Sequence, residues 1–106
     1  MSEKEFLIYL DEAQENRYRY WHMWEQGMVV EFRIQYEAFI EGHWRPIVRY
    51  DSAHGQPHRD HLHPDSPETK EFFPGYRNAE VLSIGQRDIV ANWPGYRALY
   101  EKEMGR

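Results

Sequence analysis

Between Arg49 and His63 the chain concentrates the side chains best suited to chemistry. Asp51, His54, His58, Asp60, His61 and His63 follow one another at spacings of 3, 4, 2, 1 and 2 positions, flanked by Arg49 and Arg59. Histidine titrates near neutrality and serves as general acid, general base or metal ligand, and an arginine fork holds phosphate and stabilises developing negative charge. If residues 58–63 are extended, His61 and His63 point the same way with Cβ atoms about 6.6 Å apart, a spacing from which two imidazoles converge on one ion. His58 and Asp60 then face the other way, so one strand cannot offer all these groups to one metal. Asp51 and His54 would have to fold back to complete either side. Nitrogen and oxygen ligands without sulfur suit a divalent transition metal: zinc, manganese, iron or nickel.

The same residues support a metal-free reading. Arg49, Asp51, His54, His58, Arg59 and Asp60 would then form a phosphate-handling catalytic site, with histidine moving protons and arginine clamping phosphate, as ribonuclease chemistry requires. A structural reading competes with both. His-Gly, Gln-Pro and His-Pro are common loop dipeptides, and Asp51 can cap a turn through its own backbone. Arg49 and Arg59 can pair with Asp51 and Asp60 across neighbouring strands, contributing on the order of 0.2–1 kcal/mol. His22, among Trp and Met, and His43, in a turn, read as structure.

Composition bounds these readings. A chain of 106 residues buries roughly two-thirds of the surface of its unfolded form and folds as one α+β domain spanning residues 1–106. The absence of cysteine excludes thiolate metal sites and cysteine nucleophiles and fits a cytoplasmic protein. No apolar run approaches the roughly 20 residues that span a bilayer, so no membrane partner is expected. A formal charge of −5 argues against general affinity for nucleic acid. The segment from His43 to His63 nevertheless carries three arginines against two aspartates, making it the least acidic part of the chain. Aromatic residues make up 16% and can build a core from few side chains.

Several elements would position the site. Ser2-Glu3-Lys4-Glu5 has the form of a capping box, and Phe6, Leu7, Leu10 and Ala13 follow at helical spacing, predicting a helix over residues 3–15, with a strand at Phe6–Leu10 as the competing reading. Tyr18–Trp24 reads as a strand, and Glu25-Gln26-Gly27 as a turn. From Met28 to Ile40 apolar and polar residues alternate, the mark of a long half-buried strand. Glu41-Gly42 predicts a hairpin, and Trp44–Asp51 returns antiparallel with Trp44, Val48 and Tyr50 on its core face. Pro46 requires an edge or a ladder gap at its nitrogen. A loop over 52–57 leads to a third antiparallel strand at His58–His63, and a turn-rich connection runs to Gly75. Leu82, Ile89, Trp93, Tyr96 and Tyr100 mark a helical face from Asn78 to about Lys102, which Pro94-Gly95 kinks or divides in two. The expected architecture is α+β: a three- or four-stranded antiparallel sheet with an N-terminal helix and a C-terminal helix or helices packed on one face.

The runs V-x-F-x-x-Q-Y-E at Val30–Glu37, G-x-W-R-P-I-V-R-Y-D-x-A-H-G at Gly42–Gly55 and H-R-D at His58–Asp60 resemble a family of small, mostly bacterial proteins known only as a domain of unknown function. The resemblance extends to D-I-x-x-N-W-x-x-Y at Asp88–Tyr96. More remotely, R-Y-D-x-A-H with a downstream histidine cluster is similar to TumE-type toxins of toxin–antitoxin pairs. That resemblance implies a growth-inhibiting protein acting on RNA, with an antitoxin partner. This chain carries H-x-x-H-x-H where such toxins carry adjacent histidines.

Two functions follow. In one, the protein is toxin-like and handles RNA phosphate at Arg49, Asp51, His54, His58, Arg59 and Asp60, with a divalent metal at His61 and His63 as the metal-dependent variant. In the other, it is a non-enzymatic interaction module, a homodimer through the aromatic residues at 18–24, and the histidine segment is a structural loop or a metal-binding site.

Overall fold

The computed structural model describes residues 1–106, the side chain of His54 excepted. Six strands form one antiparallel sheet in the order of the chain: β1 (Ser2–Tyr9), β2 (Asn16–Glu25), β3 (Met28–Ile40), β4 (His43–Asp51), β5 (His58–His61) and β6 (Thr69–Phe72). A single helix, α1 (Asn78–Glu103), packs across β3 and β4 on one face.

Two features overturn the expected architecture. The sheet has six strands, not three or four, and no N-terminal helix exists, because residues 2–9 form β1. The predicted helix would have run through Asp11, but the Asp11 carboxylate accepts the backbone N–H groups of Glu15 and Asn16 at 3.1 and 3.0 Å and turns the chain there. Phe6 then stacks on Tyr20 with ring centroids 4.4 Å apart, and Trp21 Nε1 donates to Glu3 across the same strand pair. Cross-strand pairing outweighs the helical signal, which rested on a short capping motif. At the other end the expected helix or helices are one continuous helix. Pro94 stands on the solvent side of α1, where water can satisfy the carbonyl that loses its partner, so the helix continues past it.

The hairpins turn where Gly is needed. Gln26-Gly27 and Glu41-Gly42 all have positive φ, the type I′ geometry that matches strand twist. Two bulges then alter the register. Val30 is the extra residue between Trp24↔Val29 and Met23↔Glu31, and Ile47 is the extra residue between Glu37↔Pro46 and Tyr36↔Val48. The second bulge accommodates Pro46 and reverses the facing of β4 along its length. Val48 and Tyr50 reach the helix side, whereas Trp44, expected on the same face, lies against Phe39 on the helix-free side with Arg17 stacked 3.6 Å above its ring.

The core lies between α1 and β3–β4. Phe32, Ile34, Tyr36, Ala38 and Ile40 meet Val48, Tyr50, Val81, Leu82, Ile89 and Tyr100. Its phenols find polar partners: Tyr36 donates to Asn16 Oδ1 and Tyr50 to Asp88 Oδ2, both at 2.6 Å. Gly85 is the point of closest approach, since a Cβ there would stand 2.8 Å from Tyr50 ring carbons and 3.1 Å from Ile34. Gly85→Ala gains about 1 kcal/mol of helix propensity but overpacks a ring held at its far end by Asp88, which costs about 1–3 kcal/mol. Overpacking wins. The variant is expected to unfold at lower urea with an unchanged m-value, and a raised midpoint would show that the interface has room to spare.

Candidate functional site

The strand pairing divides the predicted residues between the two faces of the sheet. Asp51 stands opposite His58, Tyr50 opposite Arg59, Arg49 opposite Asp60 and Val48 opposite His61. Arg49, Asp51, His58 and Asp60 therefore share the helix-free face, while Arg59 and His61 share the helix face with His63. His54 belongs to the short turn at Ala53–Gly55, and its side chain lies outside the described residues.

On the helix-free face His58 is clamped between two carboxylates. Its Nε2 lies 3.1 Å from Asp51 Oδ1 and 3.4 Å from Asp60 Oδ2, and the three residues are only 4%, 2% and 4% exposed for Asp51, His58 and Asp60. An outer partner fixes each of them. His58 Nδ1 donates to the Gln56 carbonyl at 2.9 Å, Ala53 N–H donates to Asp51 Oδ1 at 2.9 Å, and Lys70 Nζ donates to Asp60 Oδ1 at 2.6 Å. Arg33 Nε stands 3.8 Å from Asp51 Oδ2. With Nδ1–H committed to a carbonyl, Nε2 can face carboxylate oxygens only if a second proton or a metal ion lies between them. Among the described residues Asp51, His58 and Asp60 are the one group of three whose ligating atoms all lie within 4.8 Å of one another.

Beside this triad the helix-free face carries a groove of about 640 Å³. Leu7, Trp21 and Ala53 are part of its apolar lining, Arg19, Arg33 and Gln35 line it with hydrogen-bond groups, and Asp51 lines it too. Arg19 shares the buried Glu37 carboxylate with Arg17 and Gln35. Arg49 bonds Gln35 Oε1 at 2.7 Å through Nε, and among the described residues no carboxylate reaches it as an ion pair.

The helix face holds a second polar network. Asp88 Oδ2 accepts from the hydroxyls of Tyr50 and Tyr96, both at 2.6 Å, and Arg59 reaches Tyr96 at 3.2 Å and Glu71 at 3.1 Å. His61 and His63 stack in parallel with ring centroids 5.1 Å apart. Both nitrogens of His63 are engaged, Nδ1 with Glu103 at 3.0 Å and Nε2 with Thr69 at 2.9 Å. His61 Nε2 is buried without a partner among the described residues. Burial, followed by the charges of His63 and Arg59, holds the His61 pKa below its ordinary value.

The sequence pattern did not point to Arg33, Gln56 and Lys70 around the triad, or to Tyr50, Asp88 and Tyr96 across from it. The register would have found Arg33 and Lys70, since they stand opposite Asp51 and Asp60 respectively. Tyr96 and Asp88 carry a helical spacing of eight that put both on the sheet-facing side.

Two measurements probe these clusters. Removing the imidazole in His58→Ala leaves two buried carboxylates facing each other with nothing between them, a change expected to cost about 3–5 kcal/mol in denaturant unfolding. A loss below about 1 kcal/mol would mean that Lys70, Arg33 and water suffice to hold the carboxylates. On the helix face, burial and then the bond to Asp88 push the Tyr96 pKa up to about 12 and the Tyr50 pKa higher still. An acid whose pKa is raised by folding keeps its proton longer in the native state, so its stabilisation is complete below the unfolded value near 10 and is lost as pH rises through the folded value. Denaturation midpoints are expected to fall from pH 10 upward, and Tyr50→Phe is expected to fall less steeply. Parallel slopes would exclude Tyr50 as a contributor.

No curated protein and no solved structure matches this chain at a significant level. The model of a family described as a domain of unknown function, DUF7718, matches residues 1–106, and the chain belongs to that family.

Proposed function

We propose that the protein binds a small phosphate-bearing ligand of nucleotide size in the groove on the helix-free face, with the Asp51–His58–Asp60 triad beside that groove as its chemically active part. The observation that carries this reading is the position of Arg33: its side chain is 56% exposed, its Nε stands no closer than 3.8 Å to Asp51, and it lines the same groove as Trp21 and Gln35. A loosely paired guanidinium beside an indole and a carboxamide provides a phosphate fork, a stacking surface and a hydrogen-bonding edge.

Charge sets the size of the ligand. The groove is lined by Glu5, Glu31 and Asp51 against Arg19 and Arg33, so it holds three carboxylates and two guanidiniums. A polynucleotide needs many neutralised phosphates, whereas one anionic group needs one free arginine. This retains the phosphate-handling half of the sequence expectation, with an RNA admitted as a single nucleotide or a strand end.

Calorimetric titration with nucleoside monophosphates, inorganic phosphate and a ten-nucleotide single-stranded RNA tests the reading. A mononucleotide is expected to bind, and Arg33→Gln to weaken it about tenfold or more, the value of one charge-assisted hydrogen bond. Tight binding of the RNA alone, falling steeply with salt, would replace the groove by an extended nucleic-acid surface. Failure of every ligand to bind would refute the reading.

A further inference from the structure

The geometry points to a divalent transition-metal site formed by Asp51 Oδ1, His58 Nε2 and Asp60 Oδ2. The two distances from His58 Nε2 are those of ligands around one ion. With metal–ligand bonds of about 2.1 Å, neighbouring ligand atoms stand about 3.0 Å apart in an octahedral site and about 3.4 Å apart in a tetrahedral one. The two measured edges are 3.1 Å from Nε2 to Asp51 Oδ1 and 3.4 Å from Nε2 to Asp60 Oδ2. The third pair, between the two carboxylates, lies within 4.8 Å.

The outer partners argue for the same conclusion. A metal-binding histidine commonly donates its other ring N–H to a backbone carbonyl, and ligating carboxylates are themselves hydrogen-bonded. Here Gln56 O holds His58 Nδ1, Ala53 N–H holds Asp51, and Lys70 holds the Asp60 oxygen that points away from the triad. His58 and Asp60 are oriented from behind through their other polar atom, while Ala53 N–H fixes the Asp51 oxygen that itself faces Nε2. Two carboxylates balance one divalent cation, and one nitrogen with two oxygens suits zinc, manganese, iron or cobalt better than magnesium or calcium, which prefer all-oxygen sites. Three protein ligands leave a coordination position for water or substrate. Asp51 also lines the groove.

The competing occupant of the space is a second proton on His58, so the test must separate metal from proton. Tag-free protein titrated with Co²⁺ is expected to take up one ion per chain with visible d–d absorption, and Zn²⁺ is expected to displace it. Asp51→Asn and Asp60→Asn, which preserve shape, are expected to weaken Co²⁺ binding at least about tenfold, with circular dichroism confirming the fold, whereas His63→Gln leaves it unchanged. Because an Asn variant can fail to fold, ring ¹⁵N spectra of the wild type give an independent reading: Zn²⁺ must shift the His58 signals and leave those of His63 in place. Absence of uptake of Co²⁺, Zn²⁺ and Mn²⁺, or uptake that shifts His61 and His63 and not His58, overturns the assignment. The test uses no anionic ligand, so the metal site and the nucleotide groove stand or fall separately.

Discussion

Two buried carboxylates that each stand within 3.4 Å of one imidazole nitrogen cannot coexist without positive charge among them. This condition shapes the helix-free end of the sheet. Lys70 reaches in from β6 and Arg33 from β3, and the loop after β4 bends back so that its own N–H and carbonyl groups hold Asp51 and His58. The four-residue strand β6 has little apolar reason to exist, since all of its residues are exposed. It places Lys70 against Asp60 and Phe72 against the His58 ring, giving the outermost strand a role in closing the polar cluster.

Whether this cluster forms at all depends on one residue in β4. The bulge at Ile47 sits between Pro46, which pairs in one register, and Val48, which pairs in the next. In the unshifted register Asp51 would stand opposite Phe32 and lean toward the core, where an aspartate has no cation to meet. The extra residue moves it opposite Arg33, onto the face that His58 and Asp60 share. The same shift brings Tyr50 beneath Gly85, where its hydroxyl meets Asp88. One bulge therefore serves the core and the site together, and the local cost of an unpaired residue is offset on both faces.

Local signals in the sequence were enough for the centre of the fold. The alternation from Met28 to Ile40, the two Gly-containing hairpins and the long C-terminal amphipathic helix all follow from side-chain period and turn chemistry. The first strand was not legible as such, because Ser2–Glu5 imitates a capping box and only pairing with β2 decides between helix and strand. β6 carries no apolar alternation, so its existence depends on partners distant in sequence. The histidine cluster was legible as a cluster and in its division along β5, but not in the side that Asp51 joins. Parity along β5 separates His58 and Asp60 from Arg59 and His61, and the bulge then determines which face Asp51 joins. Arg33, Gln56 and Lys70 contribute through register and backbone, for which single-sequence spacing has no signal.

The charges of the helix-free face narrow what the protein can bind. Glu37 occupies Arg17 and Arg19 together, leaving Arg33 and Arg49 as the guanidiniums least committed to carboxylates. An acidic chain with two such groups on one face gains little from a polyanion, because each further phosphate meets carboxylates in place of counterion-releasing lysines. A compact ligand with one anionic group would have the opposite balance, since Arg33 would neutralise it while Trp21 and Leu7, which line the groove, would cover its apolar part. A divalent cation in the triad would extend this balance, turning the Asp51 side of the groove from repulsive to attractive for the same anion. Asp51, one of the groove carboxylates that disfavour nucleic acid, is thus also a group that, with a metal bound, would make a phosphate site.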